Sequence, residues 1–310
     1  MKILRSLEDL REEGPFLASG RINAVKEGYI SIVIKDGLTI HVGGSLPVEI
    51  GDYISVQVRG TPKIISETNR TTLVYEDFDI ITDLSHVLRA FREHAPSLKN
   101  LLSHINDPIL LCILKQILPD EVDSKCPVWE KGHSLRVRFH TVPSALTYHH
   151  AYIGGNYLHS LWVSQTSWHL GKLKGIKGLP LEVLIAGGLL HDIGKLMAFT
   201  PIKRGNILTV RPTTIRVKEH IQIGISTMEK IEEFLTPHTE NREKLHTLID
   251  AISGIIATHH GLKSWGALRE PESIIEQIVF VADYLESRTG TYNPLHPHDT
   301  DSLVLKLLYI

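Results

Sequence analysis

The sequence predicts an α+β chain of two domains, a small β-barrel followed by an all-α helical bundle. Three observations predict it: strand-like alternation confined to residues 1–82, an apolar period near 3.6 beyond them, and a length of 310 residues, more than one average domain. Hydrophobic residues make up 42% and charged residues 22%, apolar enough to bury a core and too apolar for general disorder.

Residues 1–15 read as a short charged helix or arm ending at Gly14-Pro15. Ile30-Ser31-Ile32-Val33-Ile34 runs into the turn signal Lys35-Asp36-Gly37, and Leu38-Thr39-Ile40-His41-Val42 follows. Tyr53 to Val58 alternates after Gly51-Asp52, and Thr72-Leu73-Val74-Tyr75 opens a last strand. About five short strands are the size of a small closed barrel, so residues 1–82 are expected to be OB-like; an SH3-like barrel fits the same pattern. Residues 83–145 read as a helical linker region. His86, Leu88 and Phe91, then Leu101, Ile105, Ile109, Ile113 and Ile117, mark two or three helices. A loop from Pro119 to about Pro143 contains the strand-like Leu135-Arg136-Val137-Arg138-Phe139. Residues 146–310 are then helical, with helices at 156–171, 180–191, 218–235, 243–259 and 271–288. They are separated at Gly171–Gly178, Pro201–Pro212, Pro237 and Gly261–Pro271. A turn-like tail leads into an apolar end, Leu303 to Ile310.

Lys+Arg 33 against Asp+Glu 35 gives a net charge of -2, which names no polyanionic partner. Residues 1–80 hold 9 basic and 12 acidic side chains, so the barrel is no simple electrostatic clamp for nucleic acid. Between Asp192 and Glu219 there is no acidic residue, but there are Lys195, Lys203, Arg204, Arg211, Arg216 and Lys218, a stretch that reads either as a solvated basic loop or as one that meets phosphate. Cys112 and Cys126 are too few for a disulfide framework or a thiolate zinc site and suit a reducing cytosol. No apolar run approaches the roughly 20 residues of a membrane span, and the start has no secretory apolar stretch. A cytoplasmic location without membrane contact is the expectation.

The chemistry rests on histidine. With 18 His and 14 Asp, chance alone predicts about 0.8 His-Asp pairs, and the chain has two. His298-Asp299 lies in a proline-rich turn with nothing helical upstream and is read as structural. His191-Asp192 ends the apolar helix Leu181 to Leu190 and precedes Ile193-Gly194-Lys195, where Gly194 is expected to close the helix and leave both side chains at its rim. An imidazole and a carboxylate supply two ligands to one cation, and the carboxylate can bridge to a second. His159, His220, His259-His260 and Asp283 each fall on a separate predicted helix or helix end, as when a bundle builds a metal centre from facing helices. A nitrogen- and carboxylate-rich set without thiolate favours Mn²⁺ or Fe²⁺ over structural zinc.

In combination these stretches resemble the HD-domain phosphohydrolases, and among them the cytoplasmic 3′→5′ exoribonucleases of the YhaM type, which carry an OB-type barrel ahead of the HD domain. The matching residues are His149-His150-Ala151-Tyr152 with Gly154-Gly155 and His159, then His191-Asp192-Ile193-Gly194-Lys195. Glu219-His220-Ile221, His259-His260-Gly261 with Trp265-Gly266 and Pro271, and Asp283 with Leu285 complete them. The resemblance covers about residues 140–290. It implies that His159, His191, Asp192 and Asp283 hold one metal, that Asp192 bridges to a second held by His220, His259 and His260, and that Lys195 sits by the scissile phosphate. Substrate contacts are expected from His149, Trp265 and Arg288 and from Lys203, Arg204 and Arg211. The chain departs from the family pattern at Glu219, where a small residue is usual, at Arg288, where a lysine is usual, and in a basic rather than threonine-rich 196–218 segment.

The expected function is therefore a metal-dependent 3′→5′ exonuclease on single-stranded RNA, with single-stranded DNA also open. Two divalent ions would activate the attacking water, with Asp192 and Lys195 as catalytic residues. Phe16, Tyr29, Tyr53 and Tyr75 are candidates for stacking bases, and equally for barrel core. An HD-type nucleotide or cyclic-nucleotide phosphohydrolase would use the same metals. A non-catalytic nucleic-acid-binding scaffold is the third reading. A homo-oligomer is left open.

Overall fold

The computed structural model describes residues 2–4, 10, 15–35, 38–44, 46–68, 70–80, 95–146, 150–204, 207–216 and 219–288. The expected helix around His86 to Phe91, His149, Lys218 and the pair His298-Asp299 lie outside the described residues.

Alternation in the first 80 residues does produce strands: β1 (Lys2–Ile3), β2 (Phe16–Lys26), β3 (Tyr29–Lys35), β4 (Leu38–Gly43), β5 (Tyr53–Arg59), β6 (Lys63–Glu67), β7 (Arg70–Tyr75) and β8 (Asp77–Ile80). Ile30, Ile32, Ile40, Val42, Ile54, Val56, Val58 and Leu73 are fully buried, so the period-2 pattern places one apolar face on a core. That sheet is open, not the closed OB-like barrel expected. The two edges of β7 are taken by β4 and β6; β5 is held by β2 on one side and on the other by β8 along Val56–Arg59. A strand has only two hydrogen-bonding edges, so no β5–β7 ladder can complete a barrel.

The sheet is instead extended from the second half of the chain. The expected break at Pro201–Pro212 is a hairpin, β9 (Phe199–Arg204) and β10 (Ile207–Pro212), and β10 pairs antiparallel with β5 at Val210–Tyr53. The order across the ten strands is β6-β7-β4-β3-β2-β5-β10-β9, with β1 parallel to β2. Arg211 clamps the joint, giving hydrogen bonds of 2.7 and 3.0 Å to the two oxygens of fully buried Asp52, while Arg204 reaches Glu49 at 2.6 Å. The acidic excess of the first segment and the acid-free basic stretch of the second are thus partly complementary halves of one interface.

The helices are α1 (Leu98–Leu102), α2 (Pro108–Lys115), α3 (Gly132–Thr141), α4 (Gly155–Leu173), α5 (Leu179–Leu190), α6 (Lys195–Ala198), α7 (His220–Leu235), α8 (Arg242–Thr258) and α9 (Ile274–Arg288). α2 has Pro108 in its first turn and the carboxylate of Asp107 on the amides of Ile109 and Leu110. The strand-like Leu135–Phe139 is part of α3, because Leu135 and Phe139, four apart, both bury on one helical face. Arg138 turns outward there and donates to the carbonyls of Leu196 and Phe199, tying α3 to the hairpin. Cys112 and Cys126, expected as separate thiols, are joined by a disulfide with Cα atoms 5.5 Å apart. Among the described residues no helix is long and apolar enough to cross a membrane.

Candidate metal centre

Where α4 and α5 cross, Gly188 has no side chain, and a Cβ there would lie 2.5 Å from the Cα of Ser164. The close approach brings His159 of α4 against the end of α5. His191 continues the last turn of α5 in helical conformation, and its Nδ1 donates to the Gly188 carbonyl at 2.8 Å. That bond commits the ring proton to Nδ1 and turns the Nε2 lone pair inward. His259 repeats the device at the end of α8, Nδ1 donating to the Ile256 carbonyl at 2.8 Å. Two helix ends thus each use their own unpaired carbonyl to orient a ligand.

Gly194 has an ordinary right-handed φ of -65°, so its use is not the helix-closing conformation expected from the sequence. Its backbone lies against α7, where a Cβ would fall 1.8 Å from the His220 carbonyl oxygen. Only glycine lets the 191–195 turn reach His220.

Eight side chains converge. On one side, His159 Nε2 lies 3.1 Å from His191 Nε2, 3.0 Å from Asp283 Oδ1 and 3.5 Å from Asp192 Oδ2. On the other, His220 Nε2 lies 3.2 Å from His259 Nε2 and 3.3 Å from Asp192 Oδ1, with His260 completing the group. Asp192 stands between with one oxygen toward each cluster, and Lys195 Nζ binds its Oδ2 at 2.6 Å. His159, His191 and Asp192 are essentially inaccessible, and His220, His259, Lys195 and Asp283 are buried. Among the described residues Asp192 Oδ1 has no hydrogen-bond partner. Its neighbours include His259 Nε2 at 3.5 Å, a lone pair in the tautomer that the Ile256 carbonyl selects. Acceptors facing acceptors inside a protein require positive charge between them.

Burial holds His159 below the ordinary imidazole range and His220 well below it, while burial and the neighbouring His259 hold His260 down to about 3. Burial alone would raise Asp192, but Lys195 and His191 hold its carboxyl well below the usual range. Burial opposes a charged His191, yet Asp192 and Asp283 raise it. Ionised carboxylates beside the neutral imidazoles of His159, His220 and His260 are the protonation states that a hard or borderline divalent cation takes as ligands. The residues present therefore fit a metal, in the groups His159–His191–Asp283 and His220–His259–His260.

The remaining expected site residues are placed unevenly. Trp265 lines the cavity of about 210 Å³ at the centre, together with Lys195, His260, Phe280, Tyr284 and Ser287. Lys203 is exposed on β9, whereas Arg204 and Arg211 are engaged by Glu49 and Asp52. Arg288 is the last residue of α9. Of the aromatic stacking candidates, Phe16, Tyr53 and Tyr75 are buried, and Tyr29 pairs with His41 at 4.6 Å with Lys26 over its ring.

Sequence reasoning quoted His150 and Tyr152 in a matching stretch but gave the substrate role to His149 and passed over Glu286, which completes a third group at this centre. His150 Nε2 donates to Glu286 at 2.9 Å, Tyr152 donates to His150 Nδ1 at 2.5 Å, and the His150 ring lies 5.6 Å from that of His159. The available signal was Glu286, one helical turn beyond Asp283 and so on nearly the same face of α9.

Residues 156–288 match the family model described as HD domain. Among curated proteins the chain is similar to "3'-5' exoribonuclease YhaM" of Bacillus velezensis and of Bacillus subtilis, each 24% identical over 150 residues, 48% of this chain and 44% of the relative. The protein of that name from a Geobacillus species is 24% identical over 151 residues, 49% of this chain and 43% of its own. The matched stretch thus spans less than half the length of these relatives. No solved structure matches the chain.

Proposed function

We propose that this protein is a metal-dependent HD phosphohydrolase that shortens single-stranded RNA from its 3′ end, with single-stranded DNA as a second substrate. The observation that carries the reading is the division of Asp192, one oxygen toward the His159–His191–Asp283 group and the other toward His220 and His259. Two divalent ions, Mn²⁺ or Fe²⁺, held in these groups would lower the pKa of a water and screen the charge of a phosphodiester. His159, His191 and Asp283 would hold one side and His220, His259 and His260 the other, all but the half-buried His260 being buried. Lys195, paired with Asp192 and lining the cavity, offers an ammonium to the non-bridging oxygens as negative charge grows on them. The names of the YhaM relatives support the choice of strand polarity and of RNA.

The N-terminal sheet supports a single-stranded substrate at Tyr29 and His41, an outward ring pair near Lys26. On this reading the enzyme works in the cytosol.

The test incubates the Mn²⁺-loaded protein with 5′-labelled single-stranded RNA and, separately, with nucleoside triphosphates and cyclic nucleotides. A ladder of 3′-shortened products is the expected result. Nucleotide turnover without strand shortening would replace the reading with a nucleotide phosphohydrolase, and no turnover at all would reduce it to a scaffold.

A further inference from the structure

The wall of the cavity opposite the ligands is aromatic. Trp265 and Tyr284 stack with ring centroids 5.6 Å apart and planes 20° from parallel, and Phe280 stands 6.4 Å from Trp265 and 6.3 Å from Tyr284. Trp265 stays 37% exposed, so its stack on Tyr284 occupies one face of the indole and leaves further surface open. Phosphate chemistry alone gives no reason for an exposed indole beside a buried cluster of imidazoles and carboxylates. The cavity, about 210 Å³, falls below the roughly 300–1,000 Å³ of pockets that enclose a whole drug-sized ligand. It has room for one end of a chain, not for a duplex.

We infer that Trp265, backed by Tyr284 and Phe280, is the stacking platform for the nucleobase of the terminal nucleotide whose phosphate lies at the metal centre. This rests on the phosphodiesterase reading and adds what that centre recognises. An indole offers any base a π-face and reads no base edge, so the subsite tells a base from its absence more strongly than one base from another. Among the described residues of the wall, Ser287 is the polar side chain on the aromatic side. Stacking strength alone would order purines above pyrimidines. The Tyr284 ring behind the indole stiffens it, so little rotamer entropy is lost on stacking.

The test compares oligonucleotides of equal length that end in adenosine or in an abasic residue, using Mn²⁺-loaded full-length protein. The wild type should process the adenosine end about tenfold more efficiently in kcat/KM, in line with about 1–3 kcal/mol per stacked base. Trp265→Ala should bring the ratio near one with bound Mn²⁺ unchanged, and Trp265→Phe should keep most of it. A Trp265→Ala enzyme that discriminates as well as the wild type overturns the inference. A second readout needs no turnover: adenosine 5′-monophosphate should quench protein fluorescence more than ribose 5-phosphate does, and the difference should vanish in Trp265→Phe. Equal quenching by both compounds also overturns it. Quenching by the nucleotide in a protein that leaves strands intact would sink the exonuclease reading and keep the base site. Strand shortening blind to the terminal base would do the reverse.

Discussion

At the scale of single residues, the centre depends on two positions of different kinds. Asp192 is chemical: removing its carboxylate takes a ligand from both groups and leaves Lys195 buried without its partner. Asp192→Ala should therefore lose both bound metal and turnover, as measured by metal analysis and the strand assay; full activity in that variant would remove the two-metal assignment. Gly194 is steric. A methyl group there meets the His220 carbonyl oxygen at 1.8 Å, and backbone cannot swing aside as a side chain can. Gly194→Ala should cost at least the roughly 1–3 kcal/mol of ordinary overpacking and lower metal affinity, although no ligand has changed. Unchanged metal binding and an unchanged denaturation midpoint would show that the 191–195 turn relaxes freely. The ligands were legible in the sequence because each sits in a short run with its own signature: His191-Asp192 before Gly194-Lys195, the doublet His259-His260, and His159 one turn into a helix. Glu286 was not, because its pairing with His150 is made across 136 residues and it has no local pattern of its own.

Among the elements, α9 shows how a helix that delivers a ligand is anchored. Ser273 precedes it, its Oγ accepting from the Glu276 amide at 3.2 Å, while Glu276 accepts from the Ser273 amide at 3.1 Å and the Glu272 amide at 2.8 Å. This is a reciprocal capping box, and Arg269 closes it by a forked contact to the same carboxylate. Ser273→Ala should cost about 1 kcal/mol. Burial works to raise the Glu276 carboxyl, but Arg269 and the two amides hold it down to about 2, against an ordinary value of 4.5. The folded carboxyl binds its proton less readily than the unfolded one. Its contribution is therefore complete above about pH 4.5 and is lost as the pH falls toward 2. The stability gap between wild type and Glu276→Gln, followed by chemical denaturation, should narrow over that window; a constant gap would mean that the carboxylate is not acting as an anion. The longer helices α4, α5, α7, α8 and α9 were legible to within three residues at each end because their apolar period spans three turns or more. Residues 135–139 misled because alternating Arg and apolar residues over five positions satisfy both periods, and burial of Leu135 and Phe139 on one face decides for the helix.

For the whole molecule, the N-terminal sheet and the helical bundle share their cores. Tyr53 of β5 packs with the helices, and Ile207 of β10 packs with the sheet. The N-terminal sheet also grips the backbone on both sides of the metal centre. Tyr53 donates to the Leu146 carbonyl at 2.8 Å and sets its ring edge-on to Phe199, Ser19 accepts from the Ile153 amide at 3.2 Å, and Asp52 holds Arg211. One grip lies just before α4 and His159; the other follows Lys195 directly. None of this was legible in the sequence, since a strand completed from a distant part of the chain leaves no local period. The one trace was reciprocal charge, acidic at Glu49 and Asp52 and basic at Arg204 and Arg211, which sequence reading assigned to phosphate. If the sheet positions the centre as well as holding substrate, damage at this joint should reach Lys195. Arg211→Ala leaves a fully buried carboxylate without its guanidinium; as the arginine is about one-third exposed, the cost should fall at the low end of the roughly 3–5 kcal/mol for broken buried pairs. Hydrogen–deuterium exchange should quicken over residues 195–212 while exchange in α4 and α8 stays slow, because those helices keep their own packing. Metal content should persist and turnover of a small phosphodiester should fall, since a group 1 Å out of place costs far more in rate than in binding. Loss confined to long strands, with small-substrate turnover and exchange at 195–198 untouched, would make the sheet a tether alone.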